Sequence, residues 1–275
     1  NDHYEAYKAV VEAMEGRRVT IRTADLGGEK QCGLVWENDP FNGVNPALGM
    51  RGIRLRLVHP EMFKTQLKAI LRASVIGPVR IMFPMITCVT EFEAAVALLE
   101  EAKGEVRNSK KRFNGEIQVG AMIEVPAAAL CADALAAKCD FLSLGTNDLT
   151  QYLLAVDRNN EAVASLFSAM HPSVLRALEQ VIDSANRQNT PVSVCGELAG
   201  DPMGVMALMG MGIESLSMRA GSLARAKKVI RSFSQQELRK FFQRAKVMDD
   251  AQDVRDLYVE QLDARNLGGL IRAGK

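Results

Sequence analysis

No apolar run in this sequence approaches the roughly 18 consecutive residues of a membrane-spanning helix, and no stretch has the make-up of a secretory signal. A helical membrane protein is therefore not the reading. There is no Cys-x-x-Cys pair either. The five cysteines, Cys32, Cys88, Cys131, Cys139 and Cys195, are odd in number and scattered through a large chain. They read as reduced thiols of a cytoplasmic protein rather than as a disulfide frame. An excess of one charge is missing too: 34 basic residues face 33 acidic ones, for a net +1. That gives no support for a general polyanion-binding surface, so nucleic acid is not an expected partner. The glycine fingerprint Gly-x-Gly-x-x-Gly of dinucleotide-binding folds does not follow the first strand, and there is no internal repeat or low-complexity segment.

What is present is a chain of 275 residues, 48% hydrophobic and 24% charged, which suits a large buried core. Short apolar runs alternate with amphipathic stretches. The runs Val19–Thr23, Val79–Ile86, Ile117–Pro126, Phe141–Leu144, Pro191–Cys195 and Ile213–Met218 predict six strands. Helices are predicted over residues 60–74, 91–103, 127–138, 162–170, 173–188 and, beyond residue 222, through most of the C-terminal part. Alternation of this kind means a parallel sheet. The fold class is α/β, and a (β/α)8 TIM barrel is the expected form. Two more strands are then needed, to be sought in 33–57 and 150–175. An open doubly wound sheet is the alternative.

The chain is organised around Asp140–Arg158. A buried strand, Phe141–Leu144, stops at Gly145 and gives way to Thr146, Asn147 and Asp148, with Asp157 and Arg158 following one short helix later. An amide, a carboxylate and a fixed cation lie close together in the chain, where Asn147 or Asp148 either caps a helix or serves a metal and an anion. Arg22 stands near the end of the first strand. Glu124 lies at the end of the third, in an apolar setting where a carboxylate needs a salt bridge or a metal. Cys195 ends the fifth, next to Gly196. Arg22, Glu124, Asn147, Asp148 and Cys195 thus share one property: each stands at the carboxyl end of a predicted parallel strand, the end at which barrels gather their ligands. Two carboxylates with room for water suit Mg²⁺ or Mn²⁺. Several arginines around them suit a phosphate, Arg51 and Arg54, three apart, are placed to share a helix face, and a thiol suits a proton donor or nucleophile. The residues point to a divalent-metal enzyme acting on a small phosphorylated acid. Gly27-Gly28 is a weak phosphate-loop signal, the methionines of 203–211 read as core, and His3, His59 and His171 read as structural.

The motifs Ile21-Arg22-Thr23-x-Asp25-x-Gly27-Gly28-x-Lys30, Asn45-Pro46-x-Leu48-Gly49-x-Arg51-x-Ile53-Arg54, Met82-Phe83-Pro84-Met85, Ile123-Glu124-Val125-Pro126, Gly145-Thr146-Asn147-Asp148-Leu149-Thr150-Gln151-Tyr152, Asp157-Arg158 and Cys195-Gly196-Glu197-x-Ala199-Gly200 resemble, in this order, the phosphoenolpyruvate-binding barrel of Enzyme I. Enzyme I is the phosphoenolpyruvate–protein phosphotransferase of the bacterial phosphotransferase system. The stretch Leu153–Asn160 and the tail Gly268–Arg272 are more similar to its nitrogen-branch paralogue. The resemblance implies that residues 1–16 are the end of an inter-domain linker helix and 17–275 the barrel domain. It implies that Arg22, Arg51 and Arg158 hold the phosphate, with Arg80 assisting, and that Asn147 and the backbone around Asp148 orient the substrate. It further implies that Glu124 and Asp148 hold Mg²⁺, and that Cys195 protonates the enolate to give pyruvate.

The resemblance also implies a cytoplasmic homodimer and a phosphocarrier partner of the HPr or NPr type. That partner is reached through an amino-terminal domain bearing the acceptor histidine, a domain this sequence does not contain; a sensory GAF domain is missing as well. The chain begins Asn1-Asp2-His3-Tyr4 with a helical stripe already under way, so a piece of a longer protein is expected, one that does not autophosphorylate by itself. The competing readings are a barrel of the pyruvate phosphate dikinase or phosphoenolpyruvate synthase type, and a metabolite-sensing module without turnover.

Overall fold

Residues 2–26 and 45–272 are described by a computed structural model. They fall into two compact units, Asn1–Met122 with Lys138–Phe141, and Ile123–Ala137 with Leu142–Lys275.

The first unit opens with helix α1 (Asp2–Ala13) and strand β1 (Val19–Arg22), followed beyond residue 45 by α2 (Gly52–Val58), α3 (Pro60–Ala73), β2 (Val79–Phe83), α4 (Val89–Asn108) and β3 (Gln118–Ile123), whose last residue passes into the second unit. Pro60 starts α3 at a position where its missing N–H costs nothing. Phe63, Leu67, Ile70 and Leu71 recur along one face of that helix and are fully buried. They meet the strands through an aromatic cluster in which Phe63 and Phe92 flank Phe83, at centroid distances of 5.7 and 5.9 Å. β1, β2 and β3 pair in parallel, Val19 opposite Val79 and Ile81 opposite Val119, so their carboxyl ends share one side. At Gly120 in β3 a side chain would run into the Phe141 carbonyl, which is why the strand carries glycine there. α1 lies on α3, with the Arg72 guanidinium over the Tyr4 ring and Gln66 donating to the Tyr7 hydroxyl.

The second unit holds α5 (Pro126–Leu130), α6 (Ala132–Ala136), β4 (Phe141–Gly145), α7 (Thr146–Leu154), α8 (Pro172–Arg187), β5 (Val192–Cys195), α9 (Pro202–Gly210), α10 (Leu223–Ile230), α11 (Gln235–Ala245), α12 (Ala251–Asp263) and α13 (Gly269–Arg272). β4 and β5 are parallel, Leu142 opposite Val192 and Gly145 opposite Cys195. α9 packs on α11, where Met203, Met206, Leu238 and Phe242 are buried; Met203 and Met206 are core, as expected, while Met209 and Met211 are only partly buried. His171 caps α8, its Nδ1 accepting from the Ser173 amide, which gives that histidine the structural role expected of it.

The parallel α/β architecture agrees with the reading of the sequence, and several details differ. The sixth expected strand, Ile213–Met218, is reduced to a single parallel bridge between Val194 and Leu216. Glu214, Ser215 and Ser217 are exposed, so the run has no continuous apolar face to bury. No strand appears in the described part of 33–57, which forms a 3₁₀ turn and α2, nor in 150–175. The helix expected over 127–138 is broken at Cys131, and that over 162–170 shrinks to the 3₁₀ turn Ala164–Leu166. The Gly27-Gly28 pair and Cys32 lie outside the described residues; the other four cysteines carry free thiols. Among the described residues no helix is long and apolar enough to cross a membrane.

Candidate active site

The residues singled out from the sequence do end strands. Arg22 is the last residue of β1 and Cys195 the last of β5; Glu124 follows β3 directly, and Asn147 and Asp148 follow β4 in the first turn of α7.

In the first unit the chain beyond β1 is held residue by residue. The Thr23 amide donates to the Met82 carbonyl, and the Ala24 amide to Gln66 Oε1. Arg56 holds the Ala24 carbonyl, and the Gly52 amide reaches back to Leu26. This scaffold delivers the Asp25 carboxylate, 1% exposed, to Arg51, 9% exposed. Arg51 Nε and NH2 bond its two oxygens at 3.2 and 2.7 Å, the planar two-point fit that guanidinium makes with a carboxylate. Arg22 NH1 stands 3.9 Å from the same carboxylate and 3.7 Å from Met122 Sδ, with a third of its side chain open to solvent. Two guanidiniums thus share one carboxylate, leaving a local excess of positive charge. Met85, just past β2, has a left-handed backbone (φ 61°), strained for a residue with a side chain. A Cβ on Gly52 would come within 2.7 Å of the Met85 side chain and 3.2 Å of Asp25 Oδ1, and Gly52 itself has φ 54°. The glycine is what lets α2 begin this close to Asp25.

Arg51 and Arg54 do not share a face. Arg51 is the residue capping α2 and turns to Asp25, whereas Arg54 bonds the Leu48 and Gly49 carbonyls. Arg80 is the second residue of β2, at the opposite end of the strand from Arg22. Its Nε donates to Thr20 Oγ1 at 2.7 Å and its guanidinium lies 3.8 Å from the Phe141 ring centroid, where burial pulls its pKa down. That is a packing role, and it removes Arg80 from the candidate phosphate ligands.

In the second unit β4 runs into α7 without an intervening loop. The first turn of a helix favours negative charge, and Asp148, 7% exposed, occupies it. Asp148 Oδ1 lies 3.2 Å from Arg158 NH1, with 32% of the Arg158 side chain exposed. Ala155 closes α7 in a left-handed conformation, and the chain then folds back so that the Arg158 amide donates to Gln151 Oε1. Asn147 Oδ1 accepts from the Glu197 amide at 3.1 Å, and Thr146 Oγ1 donates to the Cys195 carbonyl at 3.1 Å. Both bonds fasten the start of α7 to the end of β5. They need Gly196, whose φ is 104° and where any Cβ would collide with Thr146 Oγ1. The Cys195 thiol, partly exposed, donates toward the Leu144 carbonyl at 3.4 Å and receives the Ser143 hydroxyl at 3.6 Å. Asn147, Cys195, Gly196 and Glu197 line a cavity of about 680 Å³.

Glu124, 2% exposed, stands at the end of β3, immediately before Val125 and Pro126 lead into α5. Among the described residues no group of three or more His, Cys, Asp or Glu side chains forms a metal cage. Glu124 and Asp148 are both nearly buried carboxylates just past strand ends, hard oxygen donors of the kind Mg²⁺ takes in pairs while keeping water and substrate oxygens. The donor set therefore fits that ion. Asp25, Ser143, Thr146 and Gln151 were not singled out from the sequence. Only Asp25 gave a signal, as a carboxylate three residues past a strand-end arginine.

Residues 1–235 match the family described as PEP-utilising enzyme, PEP-binding domain. The chain belongs to that family, and its fold class is the parallel α/β one expected above. Among curated proteins it is similar to the phosphoenolpyruvate-protein phosphotransferase of Staphylococcus carnosus (strain TM300), with 42% identity over 259 residues, 94% of this chain and 45% of the relative. The phosphoenolpyruvate-protein phosphotransferase of Haemophilus influenzae (strain ATCC 51907 / DSM 11121 / KW20 / Rd) is 46% identical over 249 residues, 90% of this chain and 42% of the relative. The chain thus spans less than half the length of these relatives. A solved citrate lyase from Burkholderia xenovorans LB400 superposes with a TM-score of 0.46 at 17% identity, over 74% of this chain and 69% of that one, a likeness too distant to bear on function.

Proposed function

We propose that the chain binds phosphoenolpyruvate with Mg²⁺ and supports transfer of its phosphoryl group to a histidine on another domain, releasing pyruvate, as the first step of a phosphotransferase relay. The observation that carries this reading is the placement of Arg22, Glu124, Asn147, Asp148 and Cys195 at or just past the carboxyl ends of four different strands. Phosphoryl transfer needs charge neutralisation and alignment more than covalent help. Arg22, Arg51 and Arg158 take the phosphate. Asn147 and the backbone at Asp148 orient the rest of the substrate. Glu124 and Asp148 hold Mg²⁺, which when bound supplies Lewis-acid stabilisation of negative charge on the substrate's oxygens.

The bond broken is that between phosphorus and the enol oxygen, whose electron pair stays on the oxygen. The enolate then collapses to the ketone as its terminal carbon takes the Cys195 proton, and water later reprotonates the thiolate. The Ser143 hydroxyl, already directed at Sγ, stabilises that thiolate. None of the chain's own histidines is offered as the acceptor. His171 is engaged as a helix cap, His59 ends one helix and begins the next, and His3 stacks on Tyr7. The acceptor carrier is of the HPr or NPr type, the branch is the nitrogen-related one, and the working form is a cytoplasmic homodimer.

Calorimetric titration of this chain with phosphoenolpyruvate, with and without a chelator, tests the binding. Affinity should fall when the metal is removed and should be lost in Glu124→Ala. An affinity indifferent to both removes the metal assignment. In the longer protein, Cys195→Ala should keep phosphoenolpyruvate binding and lose pyruvate formation; unchanged turnover removes the acid role.

A further inference from the structure

We infer that the cavity beside Cys195 extends into a second anion subsite, formed with Arg219, Arg225 and Arg255, which takes a small polyanion carrying phosphate or carboxylate groups. The inference rests on the reading above only in treating Cys195 and Asn147 as neighbours of the substrate. The cavity, about 680 Å³, is of the size that accepts drug-sized ligands, roughly 300–1,000 Å³, and a three-carbon phosphate ester leaves most of such a space unfilled.

Three arginines contribute to the rest of its lining. Arg219 precedes the 3₁₀ turn Ala220–Ser222, Arg225 lies in the first turn of α10, and Arg255 belongs to α12, outside the stretch matched by the family. None of the three has a carboxylate within ion-pair distance among the described residues; Arg225 NH2 reaches only the Ser222 hydroxyl, at 3.4 Å. By contrast, Arg51 and Arg158 each face an aspartate. The cavity's own carboxylates do not balance them. Asp201 is committed to capping α9, its Oδ1 accepting from the Met203 and Gly204 amides at 3.0 Å each, which leaves Glu197 against three guanidiniums.

A second feature points the same way. Ser222 stands at the N-cap of α10 and lines the cavity, yet its side chain makes no capping bond. The Leu223 amide is taken by the Ala220 carbonyl of the preceding 3₁₀ turn, and the amides beyond it start the helix without a capping side chain, at the end that attracts anions. Three guanidiniums around one concavity repel one another, and an anion with two or more charged groups relieves that repulsion through paired hydrogen bonds. With a net charge of +1 over the whole chain, this is a local arrangement and not a general basic surface. Because Asn147 and Cys195 line the same cavity, a polyanion here shares space with the substrate and lowers its turnover.

The test is calorimetric titration of this chain with inorganic pyrophosphate and, separately, with citrate, in chelator so that neither probe is bound to metal. Wild type should bind at least one of the two, pyrophosphate if the subsite prefers phosphate and citrate if it prefers carboxylate. The Arg225→Gln/Arg255→Gln double variant should bind that probe at least about tenfold more weakly while titrating phosphoenolpyruvate with Mg²⁺ as wild type does. Should the double variant not fold, Arg219→Gln alters an exposed side chain and should give a smaller loss in the same direction. No binding of either probe at millimolar concentration, or equal affinity in wild type and variant, overturns the subsite. Loss of probe binding in the variant, with no phosphoenolpyruvate binding in either protein, leaves the subsite standing and removes the proposed function instead.

Discussion

Each unit builds an aspartate–arginine pair just past its strand ends, and the two pairs are made differently. Asp25 and Arg51 are almost fully buried and joined by two hydrogen bonds, on a loop held by Gln66 and Arg56. Asp148 Oδ1 faces Arg158 NH1 at 3.2 Å, the carboxylate nearly buried and a third of the arginine in solvent. A buried pair broken on one side strands a charge that water cannot reach, whereas an arginine partly open to solvent is rehydrated when its partner is lost. The first pair is thus part of what holds its unit together. The second leaves its arginine within reach of solvent and of a ligand.

That contrast breaks most easily at Asp25. Asp25→Ala should destabilise the protein by about 3–5 kcal/mol, since Arg51 stays buried without its carboxylate, read as a lower midpoint in urea unfolding. A loss below about 1 kcal/mol would place the two pairs in the same class. Next comes Gly196→Ala, which forces a side chain into a left-handed backbone and against Thr146, at a cost of about 1–3 kcal/mol; phosphoenolpyruvate affinity should fall with it, because the Asn147–Glu197 bond depends on that turn. Asp148→Asn, which keeps the side chain's shape and leaves a partly solvated arginine, should cost less stability than Asp25→Ala and yet abolish metal-dependent phosphoenolpyruvate binding, the reverse of Asp25.

The smallest effect serves as a control away from both pairs. Glu237 closes the capping box of α11, and the Ser234 amide and hydroxyl, with Arg265 adding less, hold its carboxyl below the ordinary value of 4.5. A depressed folded-state value means that the ionised form stabilises the protein above the unfolded-state value, and that this contribution is lost as pH falls through the folded-state one. Thermal midpoints of Glu237→Gln should therefore differ from wild type at neutral pH and converge with it in acid. A constant difference across that range would show that the charge plays no part.

Much of this was legible in the linear pattern because a buried parallel strand must be apolar on both faces, so the residue at which it turns polar marks the strand end. That logic located Arg22, Glu124, Asn147, Asp148 and Cys195. It failed where the pattern met something distant in the chain. Asp25 looks like an ordinary loop acid until Arg51 returns to it from 26 residues away. Arg80 looks like one more strand arginine until Phe141 is found beneath it, and Ile213–Met218 has a strand's alternation but leaves its polar residues exposed. Gly52 and Gly196 carry no signal of their own in the sequence, and only packing shows that each makes room for a particular neighbour.

The direct passage from β4 into α7 makes the spacing between Gly145 and Asp148 a matter of angle. Successive helical residues are rotated by about 100° about the axis. A single insertion after Gly145 would swing the carboxylate round by that amount, even though every residue remained present. Tolerance of added length should accordingly be found elsewhere in the chain, and a homologue that lengthened this junction would keep the motif's letters while losing its aim.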